Sequence, residues 1–227
     1  MSLLTPKRIE SDELLDEAGA PFEEMARSLR DLQRINRYAG GQRVYERLLA
    51  RVAPKTEESL SVLDLGTGTS DLLLNAAGRR PLKAFGLDFR IEHLLYGRRD
   101  GKVRLPLVTG DAMKLPFRTS SVDVLTSSHF FHHFSEEENV ALLHESVRVA
   151  RRAVIVTDTR RHRAPLLFVQ LISTLRLVGR ITRFDAPASV RQGYTLDEVE
   201  RIARQVKCLR SEVIRLLPFR FGLILWK

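Results

Sequence analysis

Three aspartates, each closing a short apolar run, and one glycine pair carry the first chemical information in this chain of 227 residues. Val62-Leu63-Asp64-Leu65-Gly66-Thr67-Gly68-Thr69-Ser70-Asp71 reads as a strand ending on Asp64, a tight turn through Gly66 and Gly68, and a helix opening at Ser70 and Asp71. Glycine is needed where the main chain takes unusual dihedrals or lets a ligand approach closely. A dinucleotide-binding turn would carry G-x-G-x-x-G after the strand, but Asp71 stands at the third glycine position. A second apolar run, Leu82 to Leu87, ends at Asp88, 20 residues after Gly68. A carboxylate at that strand end can accept both hydroxyls of a ribose. A third run, Val103 to Thr109, leads into Gly110-Asp111-Ala112-Met113, and a fourth, Val122 to Ser127, leads into Ser128-His129-Phe130-Phe131-His132-His133-Phe134. One acid at a strand end is most often a loop acid or a helix cap. Several in order, at the spacing of consecutive βα units, point to a nucleotide-like ligand held along one sheet edge.

His129, His132 and His133 form the other chemical cluster. Histidine titrates near neutrality and suits a general base. The same residues equally suit capping and packing of the next helix, and both readings stand at this point. No carboxylate or thiolate lies at ligand spacing from them, so a metal site is not expected. Cys208 is the one cysteine, which excludes an internal disulfide and fits a reducing compartment. Its alternating apolar and polar surroundings read as a half-buried core thiol.

The elements that position these groups follow from periodicity. Residues 9–53 read as helical, with Phe22, Met25, Ala26, Leu29 and Leu32 at helical spacing, a break at Gly40-Gly41, and a second stripe of Val44, Tyr45, Leu48, Leu49 and Val52. Pro54 to Ser59 is a polar linker into the first strand. After four βα units a helix from Ser135 to Arg148 opens on Ser135-Glu136-Glu137-Glu138, a cap with acids in the first turn. A fifth strand, Ala153 to Thr157, ends at Asp158. Strands that are apolar throughout and alternate with helices argue for a parallel sheet covered on both faces. The segment between Asp158 and a helix at Thr195 is too long for a structureless loop. Pro165 suits a helix start, and Leu166, Leu167, Phe168, Val169, Leu171, Ile172 and Leu175 make that helix apolar almost all round, which predicts its burial. Lys207–Leu217 and Phe219–Trp226 read as two strands joined near Pro218.

The Asp-x-Gly-x-Gly pattern of Asp64, Gly66 and Gly68 resembles motif I of the class I S-adenosylmethionine-dependent methyltransferases. The acids after the second and third strands and the segment after the fourth are similar to that family's later motifs. The resemblance covers roughly residues 40–227. It departs at Ser70, where the family pattern has a third glycine; another small residue there is compatible with the pattern. Arg37-Tyr38-Ala39-Gly40-Gly41 and Gly193-Tyr194-Thr195-Leu196-Asp197-Glu198 look like the branch holding quinone-biosynthesis methyltransferases and bacterial O-methyltransferases of phenolic or polyketide-derived products.

The resemblance implies a Rossmann-like α/β fold: a seven-stranded, mostly parallel sheet with an antiparallel final strand and helices on both faces. It implies an N-terminal helical cover over 1–58 and a methyltransferase domain over 59–227, with a helical lid inserted at about 159–194. S-adenosylmethionine is the implied cofactor. Gly66 and Gly68 would approach its methionine and ribose portions, with Asp64 stabilising the turn or reaching the amino group through water. Asp88 would hold the ribose hydroxyls, and Phe89 would pack on the adenine. Asp111 with the Ala112 and Met113 backbone would read the adenine edge, and Ser127 lies where the family's chain passes the amino group. Arg37 pairs with the methionine carboxylate or is an ordinary surface arginine. His129 is the distinctive candidate base, with His132 and His133 beside it.

The expected reaction is O-methylation of a small apolar aromatic or polyketide-like acceptor. The alternatives are C-methylation of a quinone precursor and methylation of RNA. The net charge of +9 arises in the last third, where residues 151–227 hold 16 Lys/Arg against 6 Asp/Glu. That could mark a nucleic-acid face, yet no basic run is interleaved with stacking aromatics, and no specific nucleic-acid partner is expected. The start of the chain lacks signal-peptide character and no run is long enough to span a bilayer. A cytoplasmic monomer or homodimer of secondary metabolism is the expectation.

Overall fold

The computed structural model describes residues 4–17, 19–53, 59–99 and 104–227. Each apolar run at a βα boundary forms a strand: β1 Leu60–Leu65, β2 Leu82–Asp88, β3 Leu107–Thr109, β4 Val122–Ser128 and β5 Ala150–Thr159, followed by β6 Arg210–Leu216 and β7 Arg220–Trp226. They form one sheet in the order β3-β2-β1-β4-β5-β7-β6. Pairings from β3 through β5 are parallel, and β7 runs antiparallel to both of its neighbours. This is the Rossmann-like arrangement expected from the sequence.

Side chains alternate across the sheet as strand pleating requires. Val62, Ala153 and Ile155 meet Tyr45, Leu48 and Leu49 of helix α2 (Gly41–Val52) and Leu73 of helix α3 (Asp71–Ala77) on one face. Leu63, Val154, Val156 and Leu223 meet Leu142 of helix α5 (Glu136–Val149) and Ile202 of helix α8 (Leu196–Ala203) on the other. Both α5 and α8 open with complete capping boxes, Ser135 with Glu138 and Thr195 with Glu198. Helices α1 (Phe22–Tyr38), α4 (Ile91–Arg99), α6 (Arg163–Thr174) and α7 (Arg180–Gln192) complete the set.

Four local expectations change. Helix α1 begins only at Phe22; residues 9–17 are an extended and turned strap stitched to α7, where Asp185 accepts from the Leu14 and Leu15 amides at 2.9 and 3.0 Å. Helix α7 was not anticipated, because its sequence lacks a strong stripe and contains Pro187. Its first turn is held by α1, whose Asp31 accepts from the Gly179 amide at 2.7 Å. Helix α6 is not buried: none of its residues is buried, and its apolar surface faces outward. The third strand is shorter than expected, and Val103 and residues 54–58 of the linker lie outside the described residues.

One buried polar group knits the segment after β4 to the segment entering α8 on the same face of the sheet. Asn139 is fully buried and its amide donates to the Phe131 and Phe134 carbonyls at 3.0 and 3.3 Å and to the Tyr194 hydroxyl at 3.2 Å. Removing it takes the buried side-chain donor from the Phe131 carbonyl, while the Phe134 carbonyl keeps donors from Arg8 and Tyr194. Asn139→Ala is expected to lower the urea-unfolding free energy by about 1–3 kcal/mol; an unchanged midpoint would show that the surroundings re-pair without it.

Candidate active site

Strand register places the chemical groups in one row. Asp64 pairs with Gly86 and Thr126, Asp88 with Thr109, Ser128 with Thr157, and Thr159 with Arg220. Because β1 through β5 are parallel, the acids ending them all lie at the carboxyl edge. Antiparallel β7 begins there and delivers Arg220 to the same edge. Strand order reverses between β1 and β4, the switch point where open α/β sheets bind ligands. A cavity of about 540 Å³ lies over that crevice, walled by Gly66, Gly68, Asp88, Phe89, Asp111 and Ala112 on one side. Leu29, Leu32 and Ile35 of α1, Val169 of α6 and Val190 of α7 contribute apolar wall, and His129, His132 and His133 also reach it.

The glycine turn is built for close approach. Gly66 and Gly68 have φ of +62° and +51°, in the left-handed region where a side chain is disfavoured. A Cβ on Gly66 would lie 2.5 Å from the Phe130 ring, whereas a Cβ on Gly68 would meet nothing within 4 Å, because that position opens on the cavity. Ser70, at the departure from the glycine pattern, has φ of +57° and so takes the conformation glycine would supply. Asp88 joins the two motifs: Oδ2 accepts from the Gly68 amide at 2.8 Å and Oδ1 from the Arg90 amide at 2.9 Å. Oδ2 keeps a second acceptor position for a ribose hydroxyl, while His93 Nδ1 lies 3.6 Å from Oδ1 and shares that side of the carboxylate. Phe89 presents an aromatic ring 73% exposed at the rim. These features fit an adenosyl ligand.

Asp64 is buried beneath the turn, and burial pushes its carboxyl up to about 7 despite the hydrogen bond from Thr126. Thr126 Oγ1 donates to Asp64 at 2.6 Å, and the Tyr45 hydroxyl stands 2.9 Å from Thr126 Oγ1. Since the Thr126 proton is already committed, Tyr45 donates to Thr126, forming a relay from α2 to the acid.

Several candidates sit elsewhere than the sequence suggested. Arg37 is exposed beside Tyr38 and is not among the cavity-wall residues; its neighbour Asn36 is. One residue turns a helix by about 100°, which decides the matter. Ser127 is buried in β4 and does not reach the cavity, which Ser128 does. Met113 packs against the core, and its amide donates to Asp111 at 2.8 Å. Asp111 and Ala112 remain at the wall.

The histidines divide by environment. His132 is buried, with Nδ1 2.8 Å from Asp158 and Nε2 3.3 Å from Glu13. Burial opposes its charge, but the two carboxylates lift it to about 10, so it is a fixed cation. Asp158 is correspondingly held below the usual carboxylate range, burial notwithstanding, chiefly by His132. His129 has φ of +54° and lies against Arg220, whose guanidinium hydrogen-bonds its Nε2. Burial first, and the Arg220 charge second, drive His129 down to about 3. It stays neutral at all ordinary pH, but its lone pair is engaged, so the sequence-based choice of His129 as base is replaced. His133 is half-buried at the wall and also neutral, lowered by burial and then by the His132 charge. Its Nδ1 stands 3.4 Å from Asp16. With Nδ1 protonated toward that acid, Nε2 is left as an acceptor.

The strap supplies what the sequence left out. Glu13 brings a carboxylate to His132 and His133, and one ligand atom from each of the three lies within 4.8 Å of the others. The carboxylate lacking from the sequence argument against a metal therefore arrives from far along the chain. The same geometry is satisfied without an ion, since Glu13 and Asp158 already neutralise His132. Nothing in the acid spacing of residues 10–17 signalled Glu13 or Asp16; Asp158 obeyed the strand-end rule.

The fold is the one shared by solved S-adenosylmethionine-dependent methyltransferases. Residues 62–153 match the family model described as a methyltransferase domain. The demethylmenaquinone methyltransferase of Roseiflexus castenholzii is 35% identical over 157 residues, covering 63% of this chain and 65% of that protein. The protein of that name from Roseiflexus sp. is 36% identical over 111 residues, 46% of this chain and 45% of its own. The chain thus spans between about half and two thirds of the length of these relatives. A putative S-adenosylmethionine-dependent methyltransferase from Methanococcus maripaludis has the same fold, with TM-score 0.65, 16% identity and coverage of 93% and 96%. So does the magnesium protoporphyrin IX methyltransferase of Synechocystis PCC 6803 with bound SAH (TM-score 0.58, 17% identity, coverage 83% and 84%). Residues 62–153 thus carry the methyltransferase-domain pattern, in a fold shared with solved S-adenosylmethionine-dependent methyltransferases.

The His132 network makes a signed prediction. Its folded-state value of about 10 exceeds the ordinary 6.5, so its stabilisation is full below 6.5 and is lost as pH rises through 10. The lowered Glu13 and Asp158 act on the acid side and leave that window alone. Between pH 7 and 10, wild-type unfolding free energy should fall relative to His132→Gln by on the order of a few kcal/mol. Parallel curves would show that His132 is not held as a cation.

Proposed function

We propose that the protein methylates an apolar, hydroxylated aromatic acceptor, and that the receiving atom is a ring carbon of a quinol-type precursor. The observation that carries this is the two-sided cavity: glycine turn and acids at one wall, aliphatic side chains and a neutral histidine at the other. The relatives named demethylmenaquinone methyltransferase support the choice of ring carbon.

When bound, S-adenosylmethionine supplies a methyl group activated on a sulfonium. Gly66 and Gly68 would admit its methionine and ribose portions, Asp88 would hold the ribose hydroxyls, and Phe89, Asp111 and Ala112 would take the adenine. The protein's main task is alignment. Leu29, Leu32, Ile35, Val169 and Val190 would seat the apolar body of the acceptor. The strap, α1 and the α6–α7 pair would together act as cover and lid and exclude water. His133 Nε2 would take the acceptor's hydroxyl proton, while Asp16 fixes the ring through Nδ1. The electron density released would make the ring carbon the nucleophile: it would take the methyl as the carbon–sulfur bond breaks and the thioether departs, and its ring proton would then move to the oxygen to restore the aromatic hydroxyl, while His133 releases the proton it took once product leaves. His132, already protonated, takes no proton; its charge keeps His133 neutral.

Methylation of the hydroxyl oxygen itself is the second reading, favoured by His133 standing at the wall as a base for a hydroxyl. RNA methylation is not favoured: the last third's arginines include several committed to acids, such as Arg161 with Glu198, Arg201 with Glu136 and Arg210 with Glu212.

A naphthoquinol and a simple phenol, offered with carbon-13-labelled cofactor, separate the readings, since the labelled methyl's chemical shift distinguishes ring methyl from methoxy. A ring methyl on the quinol is expected; methoxy alone would select the second reading. His133→Ala should lower turnover about a hundredfold or more at neutral pH, with partial recovery at high pH as the acceptor ionises unaided, and leave cofactor affinity intact. His129→Gln should not show that recovery. Near-wild-type turnover of His133→Ala would leave alignment as the whole mechanism.

A further inference from the structure

Helix α6 is short and apolar; one side packs against α7, and among the described residues nothing covers its outer side. Leu167, Phe168, Leu171 and Leu175 form one continuous stripe, and with Leu177 they are 56–65% exposed. Phe184 of α7, the helix packed against α6, and Leu217 of the β6–β7 turn are likewise exposed, at 57% and 81%. The turn lies beside the start of α6: the Arg160 amide donates to the Phe219 carbonyl at 2.8 Å, and the His162 and Phe219 rings are 4.9 Å apart.

The charge around this surface is of one sign. From Thr159 to Phe184 there are six arginines and no aspartate or glutamate. Arg161 is buried with Glu198, and Arg180 reaches Glu24 at 3.5 Å. Arg160, His162, Arg163 and, from β6, Arg215 gather at the start of α6, and Arg176 follows its end. Arg160 and His162 both feel Arg215 as a repelling neighbour, after burial, in their lowered values. Among the described residues no helix is long and apolar enough to cross a membrane.

We propose that the exposed face of α6, with Phe184 and Leu217, docks the protein on an anionic lipid bilayer. The helix lies in the plane of the interface, its leucines and Phe168 at the acyl boundary and its arginines at the phosphates. A second copy of the chain is the weaker occupant, because a two-fold contact would set this face against itself and arginine against arginine. The opposite side of α6 carries Val169 into the cavity wall, so one helix separates bilayer from site. Given the apolar acceptor proposed above, such docking lets that acceptor enter without crossing water; the docking itself does not depend on which acceptor is used.

Vesicle flotation of the full chain tests this, using phosphatidylcholine vesicles with and without phosphatidylglycerol. Wild type should float with the anionic vesicles, much less with the neutral ones, and the fraction bound should fall with salt. Arg163→Gln/Arg176→Gln should weaken partitioning roughly 30-fold, from about 1 kcal/mol per basic side chain near the surface. Phe168→Ser/Leu171→Ser should also weaken it, while calorimetric affinity for S-adenosylhomocysteine stays at the wild-type value in both variants, which shows the fold and cofactor site intact. Wild type that stays with the protein-only fraction overturns the proposal. So does a dimer in sedimentation equilibrium that Phe168→Ser/Leu171→Ser abolishes, since the face is then a self-contact. Turnover of a water-soluble acceptor, measured alongside, separates failure of docking from failure of the assigned reaction.

Discussion

The reversal of strand order between β1 and β4 is the constraint on which the site depends. Crossovers leave these two strands toward opposite sides of the sheet, so no connection fills the gap above their carboxyl ends. Parallel register then stacks the ends of five strands along that gap, and each contributes whatever residue follows its apolar run. The result is an acid-rich crevice: Asp64, Asp88, Asp111 and Asp158 all reach one edge. The fold must accommodate that much like charge. It does so by a different device at Asp88, Asp64 and Asp158.

Asp88 spends its charge on two backbone amides and thereby fixes the glycine turn to the second strand. Asp64, buried under the turn, is raised toward neutrality, where a proton relieves the repulsion. Asp158 is held ionised by His132, which Glu13 of the strap balances from the other side. This last solution ties the end of β5, the turn after β4, the strap and α7 together through one buried cation. Breaking such a pair on one side leaves the remaining charge uncompensated in a dry site. Arg220 completes the pattern from β7 by occupying His129, while His133 stands at the wall without such a partner on Nε2.

The parts legible in sequence are those set by local period and register. Apolar runs with an acid behind them fixed the strands and put Asp64, Asp88 and Asp111 on one edge, and Gly66 and Gly68 carried their conformation in their residue type. Features set by partners far along the chain were not legible. His129 reads as a free imidazole until Arg220 arrives 91 residues later. Arg37 and Asn36 differ by one step of a helix whose facing is decided by α2 and α7. Residues 9–17 carry acids at helix-like spacing, but Glu13 and Asp16 turn toward histidines instead. Helix α7 forms without a strong stripe because Asp31 and the strap supply its hydrogen bonds. The expected burial of α6 failed because an all-round apolar helix signals only that some partner is needed, not that this chain provides it.

We propose that the Asp88–Gly68 corner is a ribose clamp for an adenosyl cofactor. Isothermal calorimetry of S-adenosylhomocysteine binding to wild type and Asp88→Ala, with NAD as the competing ligand, tests it most directly. Micromolar-order binding of S-adenosylhomocysteine, none of NAD, and a loss of roughly 1–3 kcal/mol or more in the variant are predicted, since ribose hydroxyls lose their acceptor and the Gly68 amide its partner. Tight NAD binding, or equal S-adenosylhomocysteine affinity in the two proteins, would contradict it.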